Sequence, residues 1–493
     1  MKGERSLDIE NPFIRYYINQ NEELKEYIDL YEIPRKEDIF LIEKMMSVDV
    51  GNLFKDLGYD NKGNLILNCN SLRYLQQCIA NPNHKHWRGS FCKDRYCPIC
   101  SHLKSHKASE MLFDIIKSIK KDNNYKNSSL VFMTLTQKSV GVGELRDELD
   151  KMQRAIQEMM KKELIFSTAK NYKTDKKTGK KRSYGTKGVV QGTIRHLEVT
   201  SKYSKERDRI EFHPHWHVLL LVKQAYFDDK KYFWDQKKLI KNWRKYMDLN
   251  YNPNVDIRKI VDGAEEDKRS FDVKLKDMEP DGAIKEISKY STKDSDLIKV
   301  DVDEDTGDIK INWSDSKVIL NEMYKSLHNR RDLILTGAFK KTKERLFGNK
   351  DADELVTEMQ DEQLIDLFRD KKCKTCGADT IEYLQRYSTY NKWYYNLSED
   401  KLQSYKEGLN NQINTIIKRR RDIILESLRA EKVEENRVNK LMELMCEDAK
   451  IYPFDDVKSY LESIYEKEDV EKYFATIGEK KSDDSWQSNI RGN

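Results

Sequence analysis

The chain has 493 residues, of which 35% are charged and 38% are apolar. This length predicts two or three domains. Only 8 Pro and 20 Gly exclude collagen-like and proline-rich architectures, and a 10% aromatic content argues against wholesale disorder. Lys and Arg number 90 against 85 Asp and Glu, which leaves +5. That total does not by itself indicate nucleic-acid binding. Any such indication has to come from the distribution of the basic residues along the chain.

The sequence predicts neither a membrane span nor an export signal. The longest strongly apolar run, residues 218–222, is far short of the roughly 20 residues that a spanning helix needs. The first ten residues contain no apolar signal core. We therefore expect a cytoplasmic protein whose eight cysteines stay reduced, and their clustering then favours metal binding over disulfides.

Four regions are predicted along the chain: a helical region over 1–66, a Cys- and His-rich segment over 67–127, a central domain over 128–345 and a mainly helical region over 346–493. In the central domain, apolar and β-branched runs predict strands, and 3.6-residue periodicity predicts helices. The predicted strands are 130–136, 189–200, 210–222, 254–260 and 333–341, and the predicted helices are 144–166, 233–248 and 281–296. This order predicts an α+β fold with a central antiparallel sheet and flanking helices.

The Cys-rich segment has the spacing of a zinc site. Cys92, Cys97 and Cys100 lie within nine residues, with Pro98 at a turn. A structural Zn²⁺ takes four ligands in a tetrahedron, and Cys78 is our choice for the fourth. The other candidates are Cys69, His102, His106 and the distant pair Cys373 and Cys376, which could also stand alone. The competing interpretation is reduced cysteines that bind no metal.

Residues 167–187 hold eight Lys or Arg and one Asp, with two Tyr interspersed. Such a loop suits phosphate contacts and base stacking. The basic residues predicted to contact DNA are Lys176, Lys177, Lys180, Lys181 and Arg182. A solvated hairpin tip is the alternative interpretation. A second basic run, residues 418–421, lies in the predicted C-terminal helix.

The most informative motif is His213-Pro-His215-Trp-His217, which an apolar run follows. Side chains alternate between the faces of a strand, so His215 and His217 point the same way and can converge on one divalent metal ion. Glu198, on the strand predicted to pair with this one, is the natural third ligand. Two imidazoles and one carboxylate leave positions open for water and substrate oxygens. The alternative is a pair of satisfied histidines on a half-buried strand. His84 and His86 have the same spacing without an apolar strand, and we interpret them as an ordinary loop.

A third motif lies in the predicted helix 281–296. Glu286, Tyr290 and Lys293 fall at i, i+4 and i+7, which places them on one face. A phenol with a pKa of about 10 attacks a phosphodiester only when the phosphate is polarised and the developing charge is offset. Lys293 can contact a phosphate, and Glu286 can act as a base for water or hydroxyl. A solvated helix face of ordinary composition is the alternative.

These motifs, in this order, resemble those of the rolling-circle plasmid replication initiators of the HUH endonuclease superfamily, in the branch with one catalytic Tyr and a nearby Glu. The resemblance covers roughly residues 90–345. Residues 132–136 are similar to the family's first motif, 213–222 to its metal-binding motif and 286–293 to its nucleophile motif. Similar cysteine segments precede the first strand in that family, which supports a structural role for them here.

The resemblance implies that His215 and His217 bind Mg²⁺ or Mn²⁺, with Glu198 as third ligand. Tyr290 would attack one origin strand and form a 5′-phosphotyrosyl bond, and Glu286 would activate water at termination. It also implies plasmid origin DNA, single-stranded or extruded as a hairpin, as substrate, and a host helicase and polymerase as partners. The alternatives are a single-Tyr transposase or relaxase, and a zinc-stabilised DNA-binding protein without nuclease activity. His213 has no assigned role.

Overall fold

The computed structural model describes residues 8–163, 188–260, 294–348 and 375–409. It also describes the backbone of 171–174, 181–184 and 276–278, and the single residues 283, 284, 287, 288, 350, 351, 354, 356, 372, 373, 411 and 415. The chain divides into two compact units, residues 1–398 and 399–493. In the second unit, residues 399–409 are helical. Everything else below concerns the first unit.

The helices and strands of the first unit have the following bounds. The helices are Pro12–Ile18 (α1), Glu22–Tyr31 (α2), Lys36–Asp56 (α3), Asp60–Leu67 (α4), Pro98–Lys121 (α5), Leu145–Glu163 (α6), Ala225–Asp228 (α7), Gln236–Tyr246 (α8), Asp294–Leu297 (α9), Trp313–Leu327 (α10) and Gly337–Phe347 (α11). The strands are Leu72–Cys78 (β1), Lys85–Gly89 (β2), Ser128–Thr136 (β3), Val140–Gly141 (β4), Asn171–Thr174 (β5), Lys181–Tyr184 (β6), Val190–Ser204 (β7), Arg209–Lys223 (β8), Val255–Ile260 (β9), Lys276–Met278 (β10), Lys299–Val302 (β11), Ile309–Asn312 (β12), Leu333–Thr336 (β13), Thr380–Ser388 (β14) and Trp393–Asn396 (β15).

The described residues of the N-terminal region form the four helices α1 to α4. Asn11 and Asn21 precede α1 and α2 and accept hydrogen bonds from the backbone N–H groups of Phe13 and Leu24, at 2.9 and 2.8 Å. An Asn side chain at this position satisfies an N–H that has no partner within the helix. The buried apolar side chains of α1 to α4 belong to the main hydrophobic core of the unit.

The central domain is built on one large sheet with the strand order β10-β9-β3-β8-β7-β13, and β4 pairs with β8 at the side. Each of these pairings is antiparallel except β9 with β10. The two long strands β7 and β8 form a hairpin, because the four residues between them allow direct antiparallel pairing. The prediction of an α+β fold with an antiparallel sheet is confirmed.

The two faces of this sheet are covered by different helices. On one face, Phe132, Leu219 and Leu221 pack with α5 and α11. On the other, Val131, Trp216 and Val218 pack into the main core with α6, α8 and the N-terminal helices. Because side chains alternate along a strand, His215 and His217 lie on the same face as Leu219. We call this the histidine face.

A smaller sheet has the order β15-β14-β1-β2, with antiparallel pairing throughout. These four strands were not predicted: 67–127 was read only as Cys- and His-rich, and the chain after 346 was expected to be mainly helical. The pairing of β1 with β14 joins Cys78 to Thr380. These strands form because distant segments of the chain pair with one another, and local periodicity does not predict such pairing.

The predicted last strand, 333–341, is shorter than expected. β13 pairs with β7 and ends at Thr336, and α11 starts at Gly337. Gly337 has a φ of +59°, and a Cβ there would lie 2.2 Å from the carbonyl oxygen of Gln191. The chain can turn this closely against β7 only because residue 337 has no side chain.

Across the part of the chain that the structure describes, no helix is long and apolar enough to cross a bilayer.

Candidate metal centres

Antiparallel pairing of β7 and β8 brings three predicted ligands together. Glu198 is directly opposite His215, and His196 is opposite His217. Facing residues have Cβ atoms about 5 Å apart, so a carboxylate on one strand reaches imidazoles on the other. Glu198 and His217 are buried, and His215 is half-buried. The sheet therefore presents one carboxylate and two imidazoles at a single point of the histidine face.

One carboxylate oxygen lies between the two rings. Oε2 of Glu198 is 3.2 Å from Nε2 of His215 and 2.9 Å from Nε2 of His217. The ligand atoms offered by the three residues all lie within 4.8 Å of one another. A divalent ion with bonds of about 2.0 to 2.2 Å to nitrogen and oxygen fits among atoms at such separations.

The surroundings of the histidines also fit a metal ion. Oγ1 of Thr134, on β3, is 3.3 Å from Nδ1 of His217. A polar partner on one ring nitrogen of a histidine is the usual arrangement when the other nitrogen binds a metal. Within the described residues, no hydrogen-bond partner reaches the buried Nδ1 of His215. The donor set of one carboxylate and two imidazoles, with Thr134 beside His217, fits Mg²⁺ or Mn²⁺ at Glu198, His215 and His217.

His213 lies further along the same strand. Its Nδ1 is 3.5 Å from Oγ of Ser139, and its ring centroid is 5.2 Å from that of His215. Burial lowers the pKa of His213, and the neighbouring His215 lowers it further. A histidine in this environment is neutral at pH 7. The structure places it beside the three clustered residues but not among them.

The predicted nucleophile motif falls mostly outside the described residues. Glu286, Tyr290 and Lys293 are not described, and neither are Lys176, Lys177 and Lys180. For Lys181 and Arg182, the described backbone lies on β6, which pairs with β5.

Described residues just before Tyr290 do lie on the histidine face. Ala283, Ile284 and Ile287 are buried in the apolar cluster that contains Phe132 and Leu219. The carbonyl oxygen of Ser288 accepts a hydrogen bond of 2.6 Å from Oγ of Ser105, on α5. The chain leading to the predicted nucleophile thus packs on the side of the sheet that carries Glu198, His215 and His217.

The cysteine segment forms a compact four-sulfur cluster. The ligand atoms of Cys69, Cys92, Cys97 and Cys100 lie within 4.8 Å of one another. The Sγ atom of Cys100 is 3.5 Å from those of Cys69 and Cys92, and the backbone N–H of Lys93 points at it, with 3.2 Å from N to Sγ. Four sulfurs at these distances can surround one tetrahedral ion. We call this set the helical cysteine cluster.

The structure places Cys69, and not the predicted fourth ligand Cys78, with Cys92, Cys97 and Cys100. Cys69 lies three residues before the start of β1, and Cys78 is the last residue of that strand. A seven-residue strand separates its ends by about 20 Å. Cys78 instead joins His84, Cys373 and Cys376, whose ligand atoms also lie within 4.8 Å of one another. His102 contacts Glu43 at 2.8 Å, and His106 lies beside Glu110.

A buried lysine lies next to the helical cysteine cluster. Lys44 is fully buried, and its Nζ donates to the carbonyl oxygens of Leu67 and Cys69, each at 2.7 Å, and to Oγ of Ser71 at 2.8 Å. Burial lowers the pKa of Lys44 to about 8, and the charge of the nearby cysteine sulfurs opposes this shift. A buried ammonium needs a negative neighbour. Four thiolates around Zn²⁺, with a net charge of −2, would supply one.

Comparison with known proteins shows the family of the chain. A family model described as "Replication protein" matches residues 83–175 and 176–377. A "Protein rep" of Staphylococcus aureus is 26% identical over 239 residues, covering 48% of this chain and 85% of that protein. A "Protein rep" of Streptococcus pneumoniae serotype 2 (strain D39 / NCTC 7466) is 26% identical over 306 residues, covering 62% and 78%. No solved structure matches.

The chain belongs to the Replication protein family. The predicted kinship with replication initiators is thereby confirmed. The matched residues include Glu198, His215 and His217.

Two of the clustered residues were missed or ranked low in the sequence analysis. His84 was interpreted as part of a loop, and Cys69 was only an alternative ligand. The signal for Cys69 was its proximity in sequence to Cys92. For His84, the only local signal was the nearby Cys78, because its other two neighbours, Cys373 and Cys376, lie almost 300 residues away, with His84 and Cys373 separated by 289 positions.

Proposed function

We propose that this protein initiates rolling-circle replication of a plasmid by cutting one strand of the origin DNA, with Tyr290 as nucleophile. The observation that carries the proposal is the grouping of Glu198, His215 and His217 on the histidine face. Ala283, Ile284 and Ile287, which precede Tyr290, pack on that same face. Membership of the Replication protein family supports replication over transposition or conjugation.

In this proposal, Glu198, His215 and His217 hold Mg²⁺ or Mn²⁺. When bound, the ion supplies Lewis-acid polarisation of the phosphate to be cut. The Tyr290 oxygen forms a new bond to phosphorus while the bond from phosphorus to the 3′ oxygen breaks. The phenolic proton ends on that oxygen, which leaves as a 3′-hydroxyl. Lys293 offsets the charge that develops on the phosphate.

The products explain how such an enzyme would start and end replication. The 3′-hydroxyl is a primer for a host polymerase, and a host helicase would open the duplex ahead of it. At termination, Glu286 takes a proton from the water that makes the final cut. The new 3′-hydroxyl then attacks the phosphotyrosine, closes the strand and releases Tyr290.

The helical cysteine cluster has a structural part in the proposal. Zn²⁺ held by Cys69, Cys92, Cys97 and Cys100 would tie the start of β1 to the first turn of α5, and α5 packs on the histidine face. The net charge of −2 on this ion with its four thiolates would be offset in part by Lys44. The basic segment with Lys176 to Arg182 would contact the backbone of single-stranded or hairpin origin DNA.

The proposal is tested with supercoiled plasmid carrying the origin, incubated with the full chain and Mn²⁺. Wild type should relax the plasmid and form a covalent protein–DNA adduct that survives denaturing electrophoresis. Tyr290→Phe should bind the same DNA with unchanged affinity and form no adduct, because it lacks the attacking oxygen. Tyr390→Phe is the matched control, since Tyr390 is 93% exposed, and it should nick normally.

An adduct formed by Tyr290→Phe would show that another residue is the nucleophile. Specific origin binding without nicking by any form of the chain would instead favour the zinc-stabilised DNA-binding protein. Cutting only at the ends of a mobile element would favour a transposase.

A further inference from the structure

Beyond the nicking reaction, we infer that Cys78, His84, Cys373 and Cys376 bind a second zinc ion, separate from any ion in the helical cysteine cluster. We call these four residues the sheet cluster. Each of the two clusters is a complete four-ligand set that shares no residue with the other. This inference does not depend on the nuclease proposal, because it concerns the small sheet β15-β14-β1-β2.

The distances within the sheet cluster match those of a tetrahedral zinc site. Sγ of Cys78 is 3.4 Å from Sγ of Cys376, and Sγ of Cys373 is 3.7 Å from Nδ1 of His84. Bonds of about 2.3 Å to sulfur and 2.0 Å to nitrogen, at tetrahedral angles, separate ligand atoms by about 3.5 to 3.8 Å. A disulfide would need sulfurs at about 2.05 Å, and these cysteines are free.

One half of the site is a tight turn of the form Cys-x2-Cys-Gly. The N–H of Gly377 donates to the carbonyl oxygen of Cys373 at 2.8 Å, and the N–H of Cys373 donates to that of Ala378 at 2.7 Å. Gly377 has a φ of +74°, which glycine adopts at little cost. Backbone N–H groups of Thr375 and Cys376 donate to the Cys373 sulfur and help to hold it in place.

The other half comes from the hairpin between β1 and β2. Cys78 ends β1, and its N–H donates to the carbonyl oxygen of His84 at 3.0 Å. The two halves are joined by the ladder between β1 and β14. There Cys78 pairs with Thr380, and the N–H of Ile79 donates to the carbonyl oxygen of Asp379 at 2.9 Å. The ligands are therefore held in place by backbone hydrogen bonds and not by the metal alone.

The proposed ion would fasten the return of the chain to the small sheet. After β2 the chain leaves to build the central sheet and comes back only at β14. Cys376 is exposed, whereas Cys69, Cys97 and Cys100 of the helical cysteine cluster are buried. A chelator should consequently remove the zinc of the sheet cluster first and that of the helical cysteine cluster later.

The test is the zinc content of the purified full chain, measured by mass spectrometry of the metal and of the intact protein under native conditions. Wild type should carry two zinc ions per chain. Cys376→Ser should carry one and Cys100→Ser one, since each removes a ligand from a different cluster. Cys446→Ser is the control, because both four-ligand sets are complete without this cysteine, and it should keep two.

His84 gives a second pair of variants if a cysteine variant fails to fold. His84→Ala should lose one zinc, and His84→Cys should retain two, because a thiolate replaces the imidazole as ligand. Two ions in both Cys376→Ser and His84→Ala, or a single ion in wild type that Cys100→Ser removes, would overturn the inference. Tyr290→Phe should keep two zinc ions, so a failure of the nuclease proposal would leave this result unchanged.

Discussion

At the scale of single residues, Glu198 is the centre of the candidate active site. Its Oε2 lies within 3.2 Å of both imidazoles. A buried carboxylate between two histidines is stable only with positive charge close by, either protons on the rings or a metal ion. Since no second acidic side chain joins these three among the described residues, removal of this one carboxylate should decide whether the metal binds.

Glu198→Gln should weaken Mn²⁺ binding by more than the roughly 10- to 100-fold typical for loss of a residue that only supports a ligand. The amide keeps the shape of the side chain but loses its charge. Calorimetric titration of zinc-saturated protein with Mn²⁺ measures the affinity. His213→Ala is the matched control on the same strand and should stay within about threefold of wild type. A larger loss in the control than in Glu198→Gln would place the ion elsewhere.

At this scale, the proximity of Glu198, His215 and His217 could be predicted because it depends on local structure. His215 and His217 point to the same side because side chains alternate along any strand. Glu198 comes to lie opposite them because its strand, β7, is joined to β8 by a short loop. The choice of the fourth cysteine ligand, in contrast, could not be made from local spacing. Cys78 and Cys69 are both near Cys92 in sequence, and only the length and direction of β1 separate them.

Among the helices, α3 contains a carboxylate, Asp49, whose burial lowers the stability of the fold at neutral pH. Asp49 lies in this helix, and burial raises its pKa to about 6, while a hydrogen bond from Tyr17 and the charge of Lys392 oppose the shift. A carboxyl whose pKa is higher in the folded state than in the unfolded chain is destabilising above the folded value, because it is then ionised in both states. The cost disappears as the pH falls from about 6 towards 4.

Asp49→Asn should therefore stabilise the protein by about 2 kcal/mol at pH 7.5, and by clearly less at pH 5. The amide retains a group that can pair with Tyr17 and is neutral at both pH values. Urea unfolding of variant and wild type at each pH measures the difference. Asp305→Asn, on an exposed loop, should change stability by less than about 0.5 kcal/mol at both. An advantage for Asp49→Asn that does not shrink on acidification would contradict the assigned cost.

Elements formed by local patterns were predicted better than those that depend on distant partners. The helices α1 to α4, α6 and α8 and the long strands β3, β7 and β8 follow from periodicity. The strands β1, β2, β14 and β15 do not, because their alternation is weak and their stability comes from pairing across the chain. The same reason explains why the region after 346 was expected to be mainly helical.

At the scale of the whole molecule, the small net charge of +5 conceals an uneven distribution. Eight basic residues and one acidic residue lie within 167–187, so the net charge of this segment alone is larger than that of the whole chain. A concentration of this kind attracts a polyanion even when the total is close to zero. The proposed nicking function therefore predicts that DNA affinity depends on this segment.

Replacement of Lys176, Lys177, Lys180, Lys181 and Arg182 by Ser lowers the net charge from +5 to zero. We expect weaker binding to single-stranded origin DNA and a salt dependence of log Kd that is flatter by up to about 3.5, at about 0.7 for each lost phosphate contact. Fluorescence anisotropy at several salt concentrations measures both.

A charge-matched control distinguishes local contacts from overall charge. It replaces five exposed lysines spread over the surface: Lys55, Lys117, Lys161, Lys231 and Lys310. The control should keep most of the affinity and of the salt dependence. If both variants lose affinity equally, net charge and not this segment attracts the DNA.

The α+β class, the histidine strand with its carboxylate neighbour and a cysteine-rich ligand set could all be predicted from local features of the sequence. They depend on periodicity and on contacts between segments joined by short loops, which local spacing encodes. The division of the cysteines into two clusters, and the position of His84 beside Cys373, follow instead from long-range contacts in the folded chain. Pairing of β1 with β14 brings those residues together, and spacing within a segment carries no information about a partner almost 300 residues away.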